Sequence, residues 1–408
     1  MTELLKESNQ TNKNYIKNYT ISGWEDENLD LNPSILRGIY ANGFEKPSAI
    51  QKQALYPMIH NKKDGKRRDI IAQAQSGTGK TGAFSIGTLE IIDNKLASTQ
   101  ALILSPTHEL AKQTIDVIYA LGKFLKVTTQ LLVGGTSVEG DKKKLQEIKP
   151  QVVVGTPGRV QDMIRRKYLD MKDLKILIVD EADEMLSSGF KDQMYRIFSH
   201  VPQDIQIGLF SATLPSELEE LTDTFMKEPI KILVKAEQLT LQGIIQYYIN
   251  VKDDQQKYAT IKDLFEGLSI SQAIIYCNST SRVDDLEEAM IQDKFPVQKI
   301  HGKMSEELRK KTHTDFKNGG CRVLITSDLF ARGIDVQQVS IVINFDIPRN
   351  EHVYLHRIGR SGRWGRKGIA INFQTKHDII KLKRFQDHYQ TNIYEMPLNF
   401  TDHLKNTI

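Results

Sequence analysis

Cysteine is scarce in this chain of 408 residues, which contains only two, Cys277 and Cys321, far apart and outside any CxxC spacing. Two isolated cysteines argue against a disulfide framework or a zinc cluster and fit a reducing compartment. The segment 1–20 has no apolar core of a signal peptide, and no stretch approaches the roughly 18 apolar residues of a membrane span. The sequence therefore predicts an intracellular, soluble protein without a membrane partner, with the cytoplasm favoured over the nucleus.

An excess of charge of one sign is also missing. Lys and Arg total 55 and Asp and Glu total 51, which leaves a net charge of +4. Because so small an excess does not establish a nucleic-acid partner, the placement of the basic residues has to decide that question. Hydrophobic residues make up 39% and charged residues 26%, which is the composition of a globular protein. Residues 1–22, polar and rich in Asn, are expected to be flexible.

The sequence does contain many short, apolar, β-branched runs that alternate with amphipathic segments of helical length. Runs that are apolar on both faces predict parallel strands covered by helices. The pattern pauses once and restarts, which predicts two consecutive α/β domains at 23–234 and 243–408, joined by a linker at 235–242. The runs lie at 67–73, 100–106, 128–135, 150–157, 174–183 and 205–213, and then at 271–280, 295–302, 321–328, 339–346 and 367–373.

Many of these runs end in polar residues. Examples are the loop after Gln73 and the residues Asp180, Ser211 and Thr326. Ligands of such sheets bind at the carboxyl ends of the strands. A row of polar residues at that edge therefore predicts an active site.

The segment AQSGTGKT at 74–81 follows a strand-like run and precedes a helical segment. Gly77 and Gly79 would let backbone N–H groups approach phosphates, Lys80 would reach the β- and γ-phosphates, and the Thr81 hydroxyl suits Mg²⁺. The general phosphate-loop pattern has Gly where this chain has Ala74. A glycine-rich turn without a ligand is the alternative, and the Lys-Thr pair in this context favours the phosphate site.

The segment VDEADEML at 179–186 places acids directly after an apolar run. Asp180 could hold Mg²⁺, Glu181 could orient and deprotonate the attacking water, and Asp183 could accept hydrogen bonds that fix nearby loops. The alternative is an exposed helix N-terminus, where the helix dipole also stabilises acids. That alternative does not explain the apolar strand directly before them.

Four motifs occur in a fixed order: AQSGTGKT, VDEAD, SAT at 211–213 and HRIGRSGR at 356–363. Together they resemble the DEAD-box ATP-dependent RNA helicases. The segments RGIYANGFEKPSAIQ at 37–51, GRKGIAINF at 365–373 and EMPLNF at 395–400 are most similar to the branch of eukaryotic initiation factor 4A. The resemblance implies two RecA-like domains, the second being the helicase C-terminal domain, on either side of a cleft. It further implies that ATP and Mg²⁺ bind in the cleft and that single-stranded RNA lies across both domains.

The resemblance assigns roles to residues around the nucleotide. Phe44 would stack on the adenine and Gln51 would bond to its edge; a core position for Phe44 and an ordinary surface amide for Gln51 are the alternatives. Arg360 and Arg363 would be arginine fingers from the second domain, unless this tract is only a basic surface. The remaining residues implied are Ser76, Gly77, Thr78, Gly79, Gly333 and Asp335 at the nucleotide, and Asp183, Ser211, Thr213, His356 and Arg357 in coupling ATP to RNA.

The resemblance also implies RNA contacts that position the backbone without reading bases. The alternative is that loops rich in Gly, Pro and Thr simply close α/β units. The residues concerned are Pro106, Thr107, Gly134, Gly135, Thr156, Gly158, Arg159, Arg309 and Thr326.

Two positions depart from the family pattern, because His108 stands in place of Arg and Glu306 in place of Gln. A histidine is nearly neutral at pH 7, so we expect His108→Arg to tighten RNA binding; an unchanged or weaker affinity would contradict this. The basic segment 60–69 is interpreted either as a solvated loop or as an extra contact for RNA or a partner. Neutralising its five cations without any change in the salt dependence of RNA binding would favour the solvated loop.

Taken together, the residues and the resemblance predict an RNA-stimulated, Mg²⁺-dependent ATPase that separates short RNA duplexes in translation initiation or RNA processing. It is expected to be a monomer that relies on scaffold proteins for targeting. Two alternatives stay open: an ATP-gated RNA clamp, and a DNA helicase or other P-loop ATPase. Duplex unwinding with turnover would favour the helicase over the clamp. Stimulation of ATP hydrolysis by RNA but not by DNA would exclude the second alternative.

Overall fold

The chain divides into two compact units between Val234 and Lys235, at the start of the predicted linker. Within the described residues, each unit contains one seven-stranded sheet whose neighbouring strands are all parallel. This confirms the predicted fold class of two consecutive parallel sheets covered by helices. The computed structural model describes residues 19–63, 65–74, 77–187, 189–214, 216–233, 243–267, 272–328, 339–361 and 368–397.

Unit 1 begins with helices and an antiparallel hairpin and then alternates strands with helices. Its strands are β1 Lys62–Lys63, β2 Lys66–Arg67, β3 Ile70–Gln73, β4 Ala101–Leu104, β5 Thr129–Leu132, β6 Val152–Gly155, β7 Ile176–Asp180, β8 Gln206–Ser211 and β9 Ile230–Leu233. Its helices are α1 Pro33–Ala41, α2 Ala49–His60, α3 Lys80–Ile91, α4 His108–Leu121, α5 Val138–Ile148, α6 Pro157–Arg165, α7 Ala182–Ser187, α8 Lys191–Phe198 and α9 Ser216–Phe225.

The strands of unit 1 lie in the order β5-β6-β4-β7-β8-β3-β9. Strands β4, β6, β7 and β8 are buried along their whole length, because parallel strands with helices on both faces are apolar on both sides. The edge strand β9 alternates, with Ile230 and Ile232 buried and Lys231 and Leu233 exposed. Only one face of this strand packs against the core.

The sheet of unit 1 separates two apolar layers. Ile70 of β3 packs in the layer formed by α1, α2, α3 and α4, whereas the next residue, Ile71, packs in the layer that contains α6, α8 and α9. This follows from the alternation of side chains along a strand. Full burial of such a side chain contributes about 1.5–3 kcal/mol, so the two layers make the sheet a firm platform for the loops at its edges.

Unit 2 repeats the alternation of strands and helices. Its strands are β10 Ile244–Asn250, β11 Ala273–Tyr276, β12 Val297–Ile300, β13 Val323–Thr326, β14 Ile341–Asn344, β15 Gly368–Gln374 and β16 Tyr394–Glu395. Its helices are α10 Asp254–Gly267, α11 Thr280–Gln292, α12 Glu306–Lys317, α13 Glu351–Ile358 and α14 Ile379–Tyr389.

The two sheets have the same strand order. Sheet 2 reads β12-β13-β11-β14-β15-β10-β16, and counted from the first strand of each sheet both orders are 3-4-2-5-6-1-7. Strand β7 therefore corresponds to β14, and β4 corresponds to β11. The correspondence allows the loops of the two units to be compared place by place.

Side-chain caps fix where several helices begin, which in turn fixes the loops before them. The capping oxygens belong to Asn32 of α1, Thr107 of α4, Ser137 of α5, Ser279 of α11, Ser305 of α12 and Asn350 of α13.

The N-terminal segment differs from its prediction at its end. Ile21, within the segment 1–22 that was expected to be flexible, is buried in the core of unit 1, and its N–H donates to the Lys52 carbonyl at 3.0 Å. Tyr19 also packs against this core, and its hydroxyl donates to Asp26 Oδ1 at 2.8 Å. Residues 1–18 and the predicted linker 235–242 lie outside the described residues. None of the described helices combines the length and apolar character required to cross a bilayer.

Candidate nucleotide and RNA sites

The polar residues predicted for ligand binding in unit 1 lie at the carboxyl edge of its sheet, and they divide into two groups. The loops after β3, β7 and β8 hold the unit 1 residues predicted for the phosphates, Mg²⁺ and coupling, and the loops after β5, β6 and β4 hold those predicted for RNA. Because the strand order is β5-β6-β4-β7-β8-β3-β9, the two groups occupy adjacent halves of one edge. The topology thus places a nucleotide half beside an RNA half.

The phosphate loop leaves β3 and turns into α3. The Ala74 N–H still donates to the Ser211 carbonyl at 3.0 Å, and then Gly77 and Gly79 adopt φ values of +84° and +101°, which glycine tolerates best. Helix α3 begins at Lys80 with Gly79 as its N-cap. The first N–H groups of α3 and the positive end of its dipole therefore lie at the turn, which is the arrangement that binds anions.

Lys80 points into a buried, charged cluster at this edge. Its Nζ lies 3.2 Å from Glu181 Oε2, and the two side chains are 4% and 8% exposed. The contact has the distance of an ion pair without the alignment of a hydrogen bond. Thr78 and Thr81 lie beside it on the same turn and are half-buried.

Asp180 ends β7, and its carboxylate is almost fully enclosed at 3% exposure. Its Oδ1 accepts the Glu181 N–H at 3.0 Å. Burial and then the Glu181 carboxylate raise the pKa of Asp180 to about 7, and Lys80 offsets only part of this. Lys80 therefore does not fully offset the cost of ionising Asp180 in this place.

This donor set fits Mg²⁺. Magnesium prefers oxygen ligands, of which one or two are protein carboxylates, and Asp180 together with the Thr81 hydroxyl offers these at the phosphate loop. A divalent cation would also remove the cost of ionising Asp180 in a desolvated place. The chemistry of the residues is therefore compatible with the metal that the sequence predicts.

Glu181 has a left-handed backbone, with φ +50°. Residues other than glycine rarely adopt this conformation, and where they do the strain often accompanies function. The turn directs its side chain to Lys80 immediately after a buried strand. A carboxylate held in this way can orient a water molecule and accept its proton.

Asp183, Ser211 and Thr213 form one hydrogen-bonded group. The Asp183 N–H donates to Ser211 Oγ at 3.2 Å, and Asp183 Oδ2 accepts from Thr213 Oγ1 at 2.7 Å and from the Thr213 N–H at 3.2 Å. All three residues are buried. The structure thus joins the start of α7 to the end of β8 through the residues that the resemblance implies for coupling.

Gln51 is buried and tied to the phosphate loop. Its Oε1 accepts the Ser48 N–H at 2.7 Å, and its Nε2 donates to the Gly79 carbonyl at 3.2 Å. The first bond is half of a capping box that starts α2. One amide hydrogen and one lone pair are left over for a base edge.

Phe44 and Gln51 pack directly on α3. A Cβ atom on Gly82 would lie 2.6 Å from Gln51 Nε2 and 3.2 Å from Phe44, so a glycine is needed for this close approach. Trp24 donates its indole N–H to the Phe44 carbonyl at 2.9 Å and is itself buried. Trp24 thereby fixes the backbone of the residue predicted to stack on adenine.

The RNA half of the edge consists of three adjacent loops. Pro106 and Thr107 follow β4, and Thr107 Oγ1 caps α4 by accepting the Leu110 N–H at 3.2 Å. Gly134 follows β5 against His108, since a Cβ atom there would lie 3.3 Å from the imidazole. Gly135 has φ +84°. Thr156 precedes α6, and the surroundings of Gly158 are open.

Arg159 joins two of these loops. Its guanidinium forms an ion pair with Asp141 of α5, and the two side chains are 9% and 5% exposed. It also donates to Thr136 Oγ1 at 2.7 Å and to the Thr136 carbonyl at 2.8 Å, and Thr136 Oγ1 lies 2.8 Å from Asp141 Oδ2. Asp141 and Arg159 thus hold the glycine loop after β5 against the start of α6.

In unit 2, Arg357 is the centre of a buried network. It pairs with Asp328, with 2.9 Å between Nη2 and Oδ2, and it donates to Asn278 Oδ1 at 2.7 Å, to Asn344 Oδ1 at 3.1 Å and to the Asp346 carbonyl at 2.7 Å. This network connects the loop after β13 to α13. Helix α13 is the segment that leads to the predicted arginine finger Arg360.

The other described residues of unit 2 are placed as follows. His356 and Arg360 are buried at the end of α13, and Arg360 Nε donates to the His356 carbonyl at 3.2 Å. Arg309 is half-buried on α12. Thr326 is buried at the end of β13 with its hydroxyl 2.9 Å from the Ile300 carbonyl. Ser76, Gly333, Asp335 and Arg363, and the side chain of Glu306, lie outside the described residues.

Sequence reasoning did not find Asp141, Thr136 or Asp328. Asp141 is one acid among several in a charged helix, and no spacing relates it to Arg159 eighteen positions later. For Thr136 one local signal was available. Ser137 is a typical N-cap residue, which predicts that a helix begins after it and that Thr136 lies in the loop before this helix. These partners depend on tertiary packing.

Comparison with known proteins agrees with this geometry. Residues 48–221 match the family model of the DEAD/DEAH box helicase, and residues 256–365 match that of the helicase conserved C-terminal domain. The chain is 51% identical over 376 residues to eukaryotic initiation factor 4A of Caenorhabditis elegans, which covers 92% of each. It is 50% identical over 376 residues to the ATP-dependent RNA helicase FAL1 of Candida albicans, again with 92% of each covered.

Solved structures give the same result. Dbp5 of S. cerevisiae bound to RNA and ADP BeF3 has a TM-score of 0.85 and 36% identity, over 93% of this chain and 97% of that chain. The resemblance carried by the motifs, and the two RecA-like domains expected from it, are confirmed. The chain therefore belongs to the DEAD-box family of ATP-dependent RNA helicases, and it is an eIF4A-like member of that family.

Proposed function

We propose that this chain hydrolyses ATP with Mg²⁺ when single-stranded RNA is bound, and that closure of its two units separates short RNA duplexes. The observation that carries the proposal is the buried cluster of Lys80, Asp180 and Glu181 at the phosphate loop. Burial of three ionisable side chains together is costly for folding, and a phosphate loop that holds a metal requires such a cluster.

Each member of the cluster has a role in the proposed reaction. Lys80 binds the β- and γ-phosphates, with the N–H groups at the start of α3. Asp180 and Thr81 would hold Mg²⁺, which supplies positive charge to the phosphate oxygens. Glu181 orients the attacking water and accepts its proton, because its left-handed backbone directs the carboxylate to Lys80.

Unit 2 supplies the second part of the proposed site. Arg360 and Arg363 would stabilise charge on the transferring phosphate when the units close, since a guanidinium offers a fixed fork of donors. Asp183, with Ser211 and Thr213, would transmit the state of the nucleotide to the RNA half of the edge. Gly333 and Asp335 would contact the nucleotide near its ribose.

RNA would lie along the loops after β4, β5 and β6 and along Thr326 and Arg309 of unit 2. Backbone N–H groups, small side chains and hydroxyls suit phosphates and 2′-OH groups. We propose a monomer that unwinds without reading sequence, and a scaffold protein that directs it to an RNA in translation initiation or RNA processing.

The test is ATP hydrolysis with and without single-stranded RNA or DNA, for the wild type, Glu181→Gln and the control Glu147→Gln, an exposed acid on α5. We expect stimulation by RNA and not by DNA. Glu181→Gln should bind ATP and RNA but lose about 10²–10⁴-fold in kcat, while Glu147→Gln stays at the wild-type rate. A Glu181→Gln enzyme with normal turnover would refute the proposal, and long retention of RNA without unwinding would assign a clamp instead.

A further inference from the structure

A cavity of about 690 Å³ opens at the amino edge of the unit 1 sheet. Its lining comes from the residues just before β3, at the start of β8 and just before β9. Because the strands are parallel, this edge lies opposite the phosphate loop and the RNA loops. Strands of four to six residues span about 13–20 Å, so the cavity is separate from the sites described above.

Arg67 places a cation at this cavity. It lies on β2, in a hairpin whose register pairs Lys62 with Arg67 and Lys63 with Lys66. Its Nε is buried and has no hydrogen-bond acceptor within the part of the chain that the structure describes. Burial lowers the pKa of Arg67. A buried Nε–H without an acceptor is unfavourable, and an anion that enters the cavity would relieve it.

The other charged residues that line the cavity form contacts between the segments of its wall. Lys66 forms an ion pair with Asp204, and Arg68 donates from Nη2 to the Glu228 carbonyl at 2.8 Å. Asp69 accepts the N–H groups of Ile207 and Lys227, each at 2.7 Å. These contacts tie the hairpin to the starts of β8 and β9, which fixes the position of Arg67.

One wall of the cavity is apolar. Phe198 and Phe225 pack with their ring centroids 4.9 Å apart, and Val201, Pro202 and Ile205 continue this wall. A volume of a few hundred cubic ångströms with apolar walls and a few fixed polar groups is typical of a ligand site. The cavity offers an apolar surface directly beside a cation.

We propose that this cavity binds a short acidic peptide segment of a partner protein. A carboxylate of the peptide would pair with Arg67, with Lys227 exposed at the rim, and an apolar side chain of the peptide would pack on the partly buried Phe225. The charges disfavour RNA, because a nucleic-acid backbone needs several available cations. Here Lys66 and Arg68 are engaged within the unit, which leaves Arg67 and Lys227 for one or two carboxylates and too few cations for a nucleic-acid backbone.

The test uses the full chain and a fluorescein-labelled heptapeptide with one Phe between acidic residues. A second peptide has every acid replaced by Gln, and binding is measured by fluorescence anisotropy. Arg67→Gln should weaken the acidic peptide about tenfold or more, the usual size of one charged hydrogen bond. Arg165→Gln, an exposed arginine paired with Asp162 on the same unit, is the matched control and should leave the affinity unchanged.

A second variant tests the apolar wall. Phe225→Leu should weaken the acidic peptide without changing the salt dependence of its binding. The affinity for single-stranded RNA and the RNA-stimulated ATPase should stay at wild-type values in all three variants. Equal affinities for the acidic and neutral peptides, or equal losses in Arg67→Gln and Arg165→Gln, would overturn the proposal. It would likewise be overturned if Arg67→Gln weakened RNA and not the peptide, which would assign the cavity to RNA.

Discussion

Asp180 and Asp346 are buried acids at corresponding places in the two sheets, and their surroundings are opposite. Asp180 ends β7 and Asp346 follows the corresponding strand β14 by two residues, with exposures of 3% and 7%. Around Asp180, burial and Glu181 raise the pKa, and Lys80 offsets only part of the shift. Burial also opposes ionisation of Asp346, but hydrogen bonds from Arg282 and Lys257 outweigh it and hold the pKa of Asp346 below its usual value.

The contacts of Asp346 explain the difference. Its Oδ1 accepts from Lys257 Nζ at 2.8 Å and from Arg282 Nη2 at 2.7 Å, and its Oδ2 accepts from Arg282 Nε at 2.7 Å and from the Asn278 N–H at 3.1 Å. Every oxygen is satisfied by the unit itself. The negative charge of a buried structural acid is balanced by cations and hydrogen-bond donors of the protein itself. The charge of a buried acid in a ligand site is balanced when the ligand or its metal binds.

The largest effect is expected when the lysine of the buried cluster is removed. Lys80→Met should lower RNA-stimulated ATP hydrolysis by at least about 10²–10³-fold, because it deletes a donor to the transferring phosphates. Removal of Lys80 also takes away the ion-pair partner of the buried Glu181 carboxylate, so the free energy of unfolding should fall as well. Steady-state hydrolysis at a temperature where the variant is folded, with urea unfolding of the same samples, separates the two effects. A folded variant that hydrolyses ATP within a few fold of the wild-type rate would contradict the prediction.

The corresponding change in unit 2 should have the opposite outcome. Lys257→Met removes a buried partner of Asp346 and should lower the free energy of unfolding by about 1.5–3 kcal/mol, the usual contribution of one hydrogen bond to a charged group, because Arg282 still pairs with Asp346. At a temperature where the variant is folded, kcat should stay within a few fold of the wild type. An unaltered unfolding curve would show that Asp346 does not depend on Lys257.

The pH dependence of stability should separate the two acids further. Because the pKa of Asp180 rises from 3.8 to about 7 on folding, the folded chain binds more protons, and this residue lowers stability as pH rises from about 4 to 7. Asp180→Asn removes that contribution. The free energy of unfolding of Asp180→Asn, relative to that of the wild type, should therefore increase by up to about 1.4 kcal/mol for each pH unit in this window and then level off. Asp346→Asn, whose acid has a lowered pKa, should show no such gain.

A smaller effect is expected at a third buried acid, Asp141, whose charge is balanced within its own unit by Arg159. Asp141→Asn leaves the Arg159 guanidinium without its anionic partner and frees the loop after β5. We expect RNA affinity to fall about tenfold, the equivalent of about 1.4 kcal/mol, with the KM for ATP unchanged. The control Asp162→Asn loses exposed ion pairs, which contribute little. If both variants bind RNA like the wild type, Asp141 does not position the loop.

The sequence predicts well the part of this molecule that depends on local pattern. Runs that are apolar on both faces predicted the strands, and the acid after such a run predicted Asp180 at the edge of a sheet. Glycines between a strand and a helix predicted the turn after β3. Each of these signals lies within about ten consecutive residues.

Contacts between distant segments could not be predicted in this way. Gln51 bonds to the Gly79 carbonyl 28 residues away, and Arg159 pairs with Asp141 on another helix; neither spacing has a period. The contrast between Asp180 and Asp346 was also hidden, since both acids follow apolar runs and only the packed structure shows which one has partners. Ile21 shows the converse, because it packs in the core together with Tyr19 at the end of a stretch whose composition predicted flexibility.

The most direct test of the account is the number of protons released when the chain binds Mg²⁺ and ADP. Calorimetric titration at pH 6.5 in two buffers of different ionisation enthalpy gives this number for the wild type and for Asp180→Asn. If Asp180 is partly protonated until a cation binds, the wild type should release more protons than the variant. The expected difference is a measurable fraction of one proton per protein molecule. Equal proton release by the two proteins would show that Asp180 is already ionised, as Asp346 is, and would contradict the account.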